Sequence, residues 1–154
     1  MKMDYGAVVD RGPWPEAMAR EFERARDNGC VGTRLISETE RVRVWEIRLG
    51  PGERIGFHRH VLDYFWTAVT AGRGRSRVQD GTTVEKSYFA GETQHESYGA
   101  GEFKIHDLEN TGDAELVFVT VEFLDSANAA LPVPRQGGVK AGCFRPARPP
   151  ASSC

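Results

Sequence analysis

Residues 52–72 read GERIGFHRHVLDYFWTAVTAG, and the triplet His58-Arg59-His60 within them governs the interpretation of the whole chain. Residues i and i+2 of a β-strand point to the same face, so on a strand both imidazoles face one side. Two ring nitrogens presented side by side are a metal-binding pair by geometry. An accidental, exposed HxH pair is the alternative, and the pair alone does not decide between them.

A third histidine strengthens the metal interpretation. His106 opens the segment HDLENTGDAELVFVTVEF, residues 106–123, which has the pattern of further strands. In a rolled antiparallel sheet His106 can lie opposite the first pair. Three neutral imidazole ligands leave open coordination positions, as catalysis requires. We therefore predict one divalent metal ion bound by His58, His60 and His106.

The two stretches resemble the cupin superfamily. In the first cupin motif a glycine lies five residues before HxH and another closes the motif, and Gly52 and Gly72 fit this pattern around the HRH triplet. In the second motif a histidine is followed by three residues and an asparagine, as His106 is by Asn110. The resemblance covers residues 40–124 and is strongest to small single-domain bacterial cupins, including a group associated with β-alanine degradation. It implies an all-β jelly-roll barrel, the double-stranded β-helix, and a homodimer.

The first motif departs from the family pattern at its glutamate. The carboxylate expected at Tyr64 or Phe65 is missing, and the nearest acid is Asp63. Asp63 is either a ligand brought inward by a bulge or a solvated acid, and strand parity favours the second. Tyr64 shares the parity of the HRH histidines. We predict that its phenol enters the cavity as a catalytic group, with barrel packing as the alternative.

His95 is the remaining histidine, and the family pattern does not require it. If its strand turns it inward, it supplies a fourth nitrogen ligand in place of the missing carboxylate, and we include it in the predicted ligand set. If it points outward, it is an ordinary surface residue. In that case Gln94 and Glu96, which have the opposite parity, are the polar groups of the cavity.

The remaining sequence from residue 31 onward alternates short strands and turns at about ten-residue spacing, which is typical of a β-sandwich or barrel. Asp80-Gly81 predicts a hairpin. Apolar residues alternate along residues 42–49, but their parity slips between Val44 and Trp45, which predicts a bulge or burial on both faces. One strand carries a row of arginines that forms a solvated face or, as the alternative, binds a substrate carboxylate. These are Arg73, Arg75 and Arg77.

The chain divides into an N-terminal segment (1–30), a barrel (31–131) and a tail rich in proline and glycine (132–154). Within the first segment, residues 13–29 predict a short helix that covers a sheet with one apolar stripe, formed by Met18, Phe22 and Ala25. The tail holds four basic residues and no acidic one, so it carries +4 and the rest of the chain −6. Its composition predicts disorder, with a basic docking segment as the alternative.

Charge and hydropathy limit the function classes. The 154 residues carry a net charge of −2, which does not favour a nucleic-acid partner, and they contain no apolar run long enough to span a membrane. Cys30, Cys143 and Cys154 form no CxxC pair, so we expect reduced cysteines and a cytoplasmic protein. The N-terminus shows no secretory signal.

The resulting functional prediction is a metal-dependent cupin that acts on a small organic molecule. Fe(II) is favoured, and it would support an oxygenase or dioxygenase reaction. Mn, Ni or Zn would instead support a lyase, isomerase or decarboxylase by Lewis-acid polarisation. The competing prediction is a cupin that binds a small molecule without catalysis, which the missing glutamate supports.

Overall fold

The fold is known from a computed structural model that describes residues 4–134. Within this range ten strands form two antiparallel sheets of five, in the orders β1-β7-β6-β9-β4 and β2-β3-β10-β5-β8. The strands are β1 (Ala7–Asp10), β2 (Arg34–Glu38), β3 (Val42–Leu49), β4 (Arg54–His60), β5 (Tyr64–Ala68), β6 (Gly72–Arg77), β7 (Thr83–Tyr88), β8 (Thr93–Glu96), β9 (Lys104–Asn110) and β10 (Leu116–Phe123). The two-sheet β-fold with a short helix confirms the predicted fold class.

The main core lies between the two sheets at the end of the barrel away from the HRH triplet. It joins apolar residues of β3, β4, β9 and β10, with Leu49, Ile55 and Leu116 all completely buried. These positions recur at period two along strands whose alternate residues face the other side. Packing this end with apolar side chains leaves the polar residues to collect toward the other end.

The N-terminal helix covers the outer face of the first sheet, as predicted. Helix α1 (Glu16–Arg24) continues into a short 3-10 turn, Ala25–Asp27, and Pro15 precedes the first helical residue. The predicted apolar stripe packs on Phe57 and Ile105, which project from the back of β4 and β9. Ile105 is therefore buried within the chain and is not available to a partner subunit.

The bulge predicted between Val44 and Trp45 lies on the neighbouring strand. β3 pairs with β10 without interruption from Val42 to Leu49, whereas its pairing with β2 shifts between Leu35 and Ser37, opposite Trp45 and Val44. The sequence misleads because a charged residue takes an inward position: Arg43 is buried, and it donates hydrogen bonds to the carboxylate of Glu38 and to the carbonyl of Leu131.

The ends of the described range differ in two ways from the predicted boundaries. β1 lies within the predicted N-terminal segment, yet it pairs with β7 as a strand of the first sheet. Val133 lies within the predicted tail, yet it is buried in a cluster with Cys30 and Trp45. The rest of the tail, including Cys143 and Cys154, lies outside the described residues.

The structure also bears on the predicted state of the cysteines and on the prediction that no segment spans a membrane. Cys30 is disulfide-bonded, which differs from the reduced cysteines expected from the sequence. Over residues 4–134, no helix is both long enough and apolar enough to cross a membrane.

Candidate metal centre

A bulge in β4 directs both histidines of the triplet into the barrel. The pairing of β4 with β9 shifts between Ile55 and His58, so these residues both face inward although they are three positions apart. Beyond the bulge His58 pairs with His106 and His60 pairs with Lys104. Bulges commonly re-aim side chains at functional sites. Regular alternation from Ile55 would point His58 and His60 outward, and the extra residue of this bulge turns both of them inward.

The three predicted histidines meet at one point. The possible ligand nitrogens of His58, His60 and His106 all lie within 4.8 Å of one another. The Nε2 atoms of His60 and His106 are 3.0 Å apart. Two ligands about 2.1 Å from one ion and at right angles to each other are separated by about this distance. The geometry therefore fits a shared metal ion.

Hydrogen bonds fix the tautomers of two of these rings. The Nδ1 of His58 lies 2.8 Å from the carbonyl oxygen of Gly56, which can only accept, so Nδ1 donates and Nε2 keeps its lone pair. Ser76 donates its hydroxyl proton to the carbonyl of Asp107 at 2.5 Å, and its oxygen is 3.3 Å from the Nδ1 of His106. That oxygen accepts from Nδ1–H, which again leaves Nε2 free to bind a metal.

Burial keeps the three rings in the form that binds a cation. Removal from water is the main cause that lowers the pKa of His58 to about 4, and it lowers the pKa values of His60 and His106 well below their usual range. Neutral imidazole is the ligand form. The Nδ1 of His60 is buried without a hydrogen-bond partner, so His60 lacks the supporting contact that the other two rings have.

The site opens into a cavity of about 260 Å³ between the two sheets. Trp66, Leu108 and Phe118 contribute to its apolar wall. This volume is just below the usual range for ligand pockets, about 300–1,000 Å³. The enclosed space therefore suits a small organic molecule.

Tyr64 is one of the two positions at which the family pattern places the missing glutamate. It is buried, lines the cavity and stacks on His60 with ring centroids 4.1 Å apart. Burial raises its pKa well above the usual 10, so the phenol holds its proton at neutral pH. The structure thus places Tyr64 beside the three histidines, with its phenol protonated.

Two other candidate ligands lie away from the histidines. His95 is exposed on the outer face of its sheet with its ring against Phe65, and this placement removes it from the ligand set. The reason is register: β5 pairs with β8 so that Gln94 and Glu96 face the cavity and His95 faces outward. Asp63 accepts a hydrogen bond from the backbone N–H of Tyr98 at 2.9 Å, so it supports a loop instead of a metal.

Two arginines of the row, Arg75 and Arg77, belong to an outer ionic network that the sequence pattern does not indicate. Arg77 contacts Asp107 at 2.9 Å and Glu109 at 3.0 Å. The completely buried Asp107 also contacts Arg54 at 2.6 Å, and Arg54 reaches Glu21 of α1 at 2.7 Å. The network fastens the helix to the sheet. Its one sequence signal is an acid directly after His106, on the opposite face of the strand.

Comparison with known proteins identifies the fold family. A solved cupin domain from Bordetella pertussis Tohama I is 31% identical to this chain over 58% of this chain and 88% of its own, with a TM-score of 0.51. The chain belongs to the cupin superfamily. A Bacillus halodurans protein shares 23% identity with this cupin over 86% of this chain and 92% of its own, with a TM-score of 0.50, which shows the fold alone. No family model and no curated protein matches this cupin.

Proposed function

We propose that this cupin binds one divalent metal ion through His58, His60 and His106 and catalyses a reaction of a small organic molecule in the adjoining cavity. The observation that carries the proposal is the convergence of three neutral imidazoles at the wall of that cavity, those of His58 and His60 buried and that of His106 half-buried. Buried histidines without a ligand role are normally separated and individually hydrogen-bonded. Here two ring nitrogens face each other at 3.0 Å.

The favoured reaction is an oxygenase or dioxygenase reaction with Fe(II). Such an ion supplies O₂ activation, and an imidazole ligand set with open positions suits it. The chain's own residues hold and orient the reactants: Gly56 and Ser76 fix two ligand rings, and the walls limit the size of the substrate. The protonated phenol of Tyr64 is placed to donate a hydrogen bond or a proton to a bound molecule beside His60.

A non-redox lyase, isomerase or decarboxylase is the second candidate, with Mn, Ni or Zn. The observation that favours it is the number of groups in the cavity wall that can transfer protons. Tyr64, Glu96 and Lys104 all line the cavity. A cupin that binds its small molecule without catalysis would keep the fold and the cavity but show no turnover with any of these metals.

Metal content tests the proposal at its first step. Elemental analysis of the purified protein, after reconstitution with each metal, is expected to give about one ion per chain. His58→Ala and His106→Ala are expected to lose it, and His95→Ala, the matched control on the outer face, to keep it. A wild-type protein that binds none of the supplied metals would refute the proposal.

Oxygen uptake separates the two reaction classes. The Fe(II) protein is prepared without air, mixed with a panel of small acids, diketones and thiols, and then exposed to O₂. Substrate-dependent uptake supports the oxygenase. Turnover of a panel compound without O₂ uptake supports the non-redox candidate. Tyr64→Phe keeps the ring stacking on His60 and is expected to lower turnover with no change in metal content.

Three further properties complete the proposal. The motif residues support a place among the small single-domain bacterial cupins, including the β-alanine-degradation-associated group. The same resemblance supports a homodimer, which light scattering tests. The chain's acidic balance outside the tail supports small molecules as partners, with no nucleic-acid or membrane partner. The disulfide at Cys30 gives no support to the cytoplasmic setting that the sequence predicted.

A further inference from the structure

The cavity wall contains four charged side chains, and two of them are fully occupied by neighbouring groups. Lys86 contacts Glu92 at 2.7 Å and Asp4 at 3.1 Å. Asp80 accepts hydrogen bonds from both the backbone N–H and the hydroxyl of Thr82, at 2.9 and 2.6 Å. These two charges stabilise the fold around the cavity and are not available to a ligand.

Lys104 and Glu96 are the other two, and they are left without partners. Both side chains are half-buried. Among the described residues neither makes a hydrogen bond, and no ion pair within 4.0 Å joins them to each other or to another residue. The other two charged side chains of the cavity wall, Lys86 and Asp80, have direct contacts, so this pair differs from them.

The two side chains face the cavity from opposite sheets. Lys104 lies two positions before His106 on β9 and pairs with His60 of β4. Glu96 ends β8, where it pairs with Tyr64 of β5. The metal-binding histidines and Tyr64 are thus bordered by a cation on one sheet and an anion on the other, separated by more than the length of a salt bridge.

We propose that this cavity binds a small zwitterion, whose carboxylate contacts Lys104 and whose ammonium contacts Glu96. A charge that is partly removed from water and left unpaired is unfavourable, and a ligand that carries the opposite charge offsets this cost. Two unpaired charges of opposite sign select a molecule that carries both. The inference rests on the proposed function for the assignment of this molecule as the substrate, but the charge arrangement itself involves no metal.

The positions of Lys104 and Glu96 also specify the orientation of the bound ligand. A ligand held at both ends spans the gap between the sheets, so its central carbon atoms lie beside His60 and Tyr64. A neutral molecule would leave both charges unpaired, and a simple carboxylic acid would leave Glu96 unpaired next to its own negative charge. The structure therefore predicts discrimination against each of these classes.

Binding measurements with matched probes test the inference. The probes are linear ω-amino acids of two to six carbons, each with the carboxylic acid and the amine of equal chain length, and binding is measured by calorimetry on metal-free and Zn-loaded protein. At the chain length that spans the gap, the amino acid is expected to bind at least about tenfold more tightly than either single-charge analogue, since each charged contact contributes about that factor. Equal binding of the amino acid and its acid, or no binding of any amino acid, would overturn the inference.

Two variants, each lacking one of the charges, test which residue contacts the carboxylate of the ligand and which contacts its ammonium group. Lys104→Gln is expected to abolish the preference over the amine, and Glu96→Gln the preference over the acid, each with unchanged metal content. Glu40→Gln, which replaces an exposed acid that does not line the cavity, is the matched control. A wild-type protein that binds no metal but keeps the zwitterion preference would refute the metal proposal alone. A wild-type protein with normal metal content but without that preference would refute only this inference.

Discussion

Strands β4 and β9 present two faces that differ in how their polar atoms are paired. On the outer face, the carboxylate of Asp107 is completely buried and contacts both Arg54 and Arg77. On the inner face, the Nδ1 of His60 is buried without a partner and Lys104 makes no ion pair among the described residues. Paired groups stabilise the fold, and unpaired groups are a cost that persists where a ligand removes it. The contrast separates structural charges from candidate functional ones on the same two strands.

Replacement of a histidine on the inner face is expected to have the largest effect. His60→Leu is expected to abolish metal binding, because it removes one of three ligands. The metal-free variant should keep the stability of the metal-free wild type to within about 1 kcal/mol, since the lost ring has an unsatisfied nitrogen. Elemental analysis and urea unfolding measure the two quantities. A large loss of stability without metal would show that the inner face is structural after all.

Removal of the outer carboxylate should give the opposite result. Asp107→Asn leaves two arginines facing a neutral group in a buried position, and we expect a loss of about 3 kcal/mol in the free energy of unfolding. Urea unfolding of the metal-free protein measures it. The matched control is Glu115→Gln, which breaks the exposed contact with Arg48 at 2.6 Å and should change stability little. Equal effects of the two substitutions would contradict the distinction between buried and exposed pairs.

Glu122 is an intermediate case between the two faces, because it is buried between the sheets and has one hydrogen-bond partner. It accepts a hydrogen bond from the indole N–H of Trp45 at 2.8 Å. Burial still raises its pKa to about 7 from the usual 4.5 and outweighs that hydrogen bond. Between these two pH values the folded protein holds a proton that the unfolded chain has released, so this group's contribution to stability falls as pH rises from 4.5 to 7.

Glu122→Gln should remove that pH dependence. Glutamine keeps the acceptor for Trp45 and carries no charge to bury. The variant should match the wild type near pH 4.5 and exceed its stability at pH 8 by up to about 3 kcal/mol. Urea unfolding across this range measures the difference, with Glu40→Gln as the exposed control. A difference between variant and wild type that stays constant with pH would contradict the raised pKa.

The same contrast explains how much of the molecule the sequence predicts. The HRH spacing and the later histidine depend on local strand geometry and a family pattern, so the fold class and the three converging histidines follow from them. The direction of His95 depends on the register between β5 and β8, a long-range property that one shifted residue reverses. The bulge of β4 and the partners of Asp107 are likewise set by contacts between distant strands. Which charges stay unpaired, such as Lys104, emerges only when all the other charges have been placed.

The supporting contact of His106 allows the smallest test of the comparison. Ser76→Ala removes the hydroxyl that accepts from the Nδ1 of this ring and leaves all three ligands in place. Loss of such a contact commonly lowers metal affinity by about 10- to 100-fold. Competition with a chelator should show this decrease with full occupancy at high metal concentration, whereas Ser87→Ala on the neighbouring strand should show none. An unchanged affinity in Ser76→Ala would mean that His106, like His60, is positioned by packing alone, and that the inner face relies on the metal itself to orient its ligands.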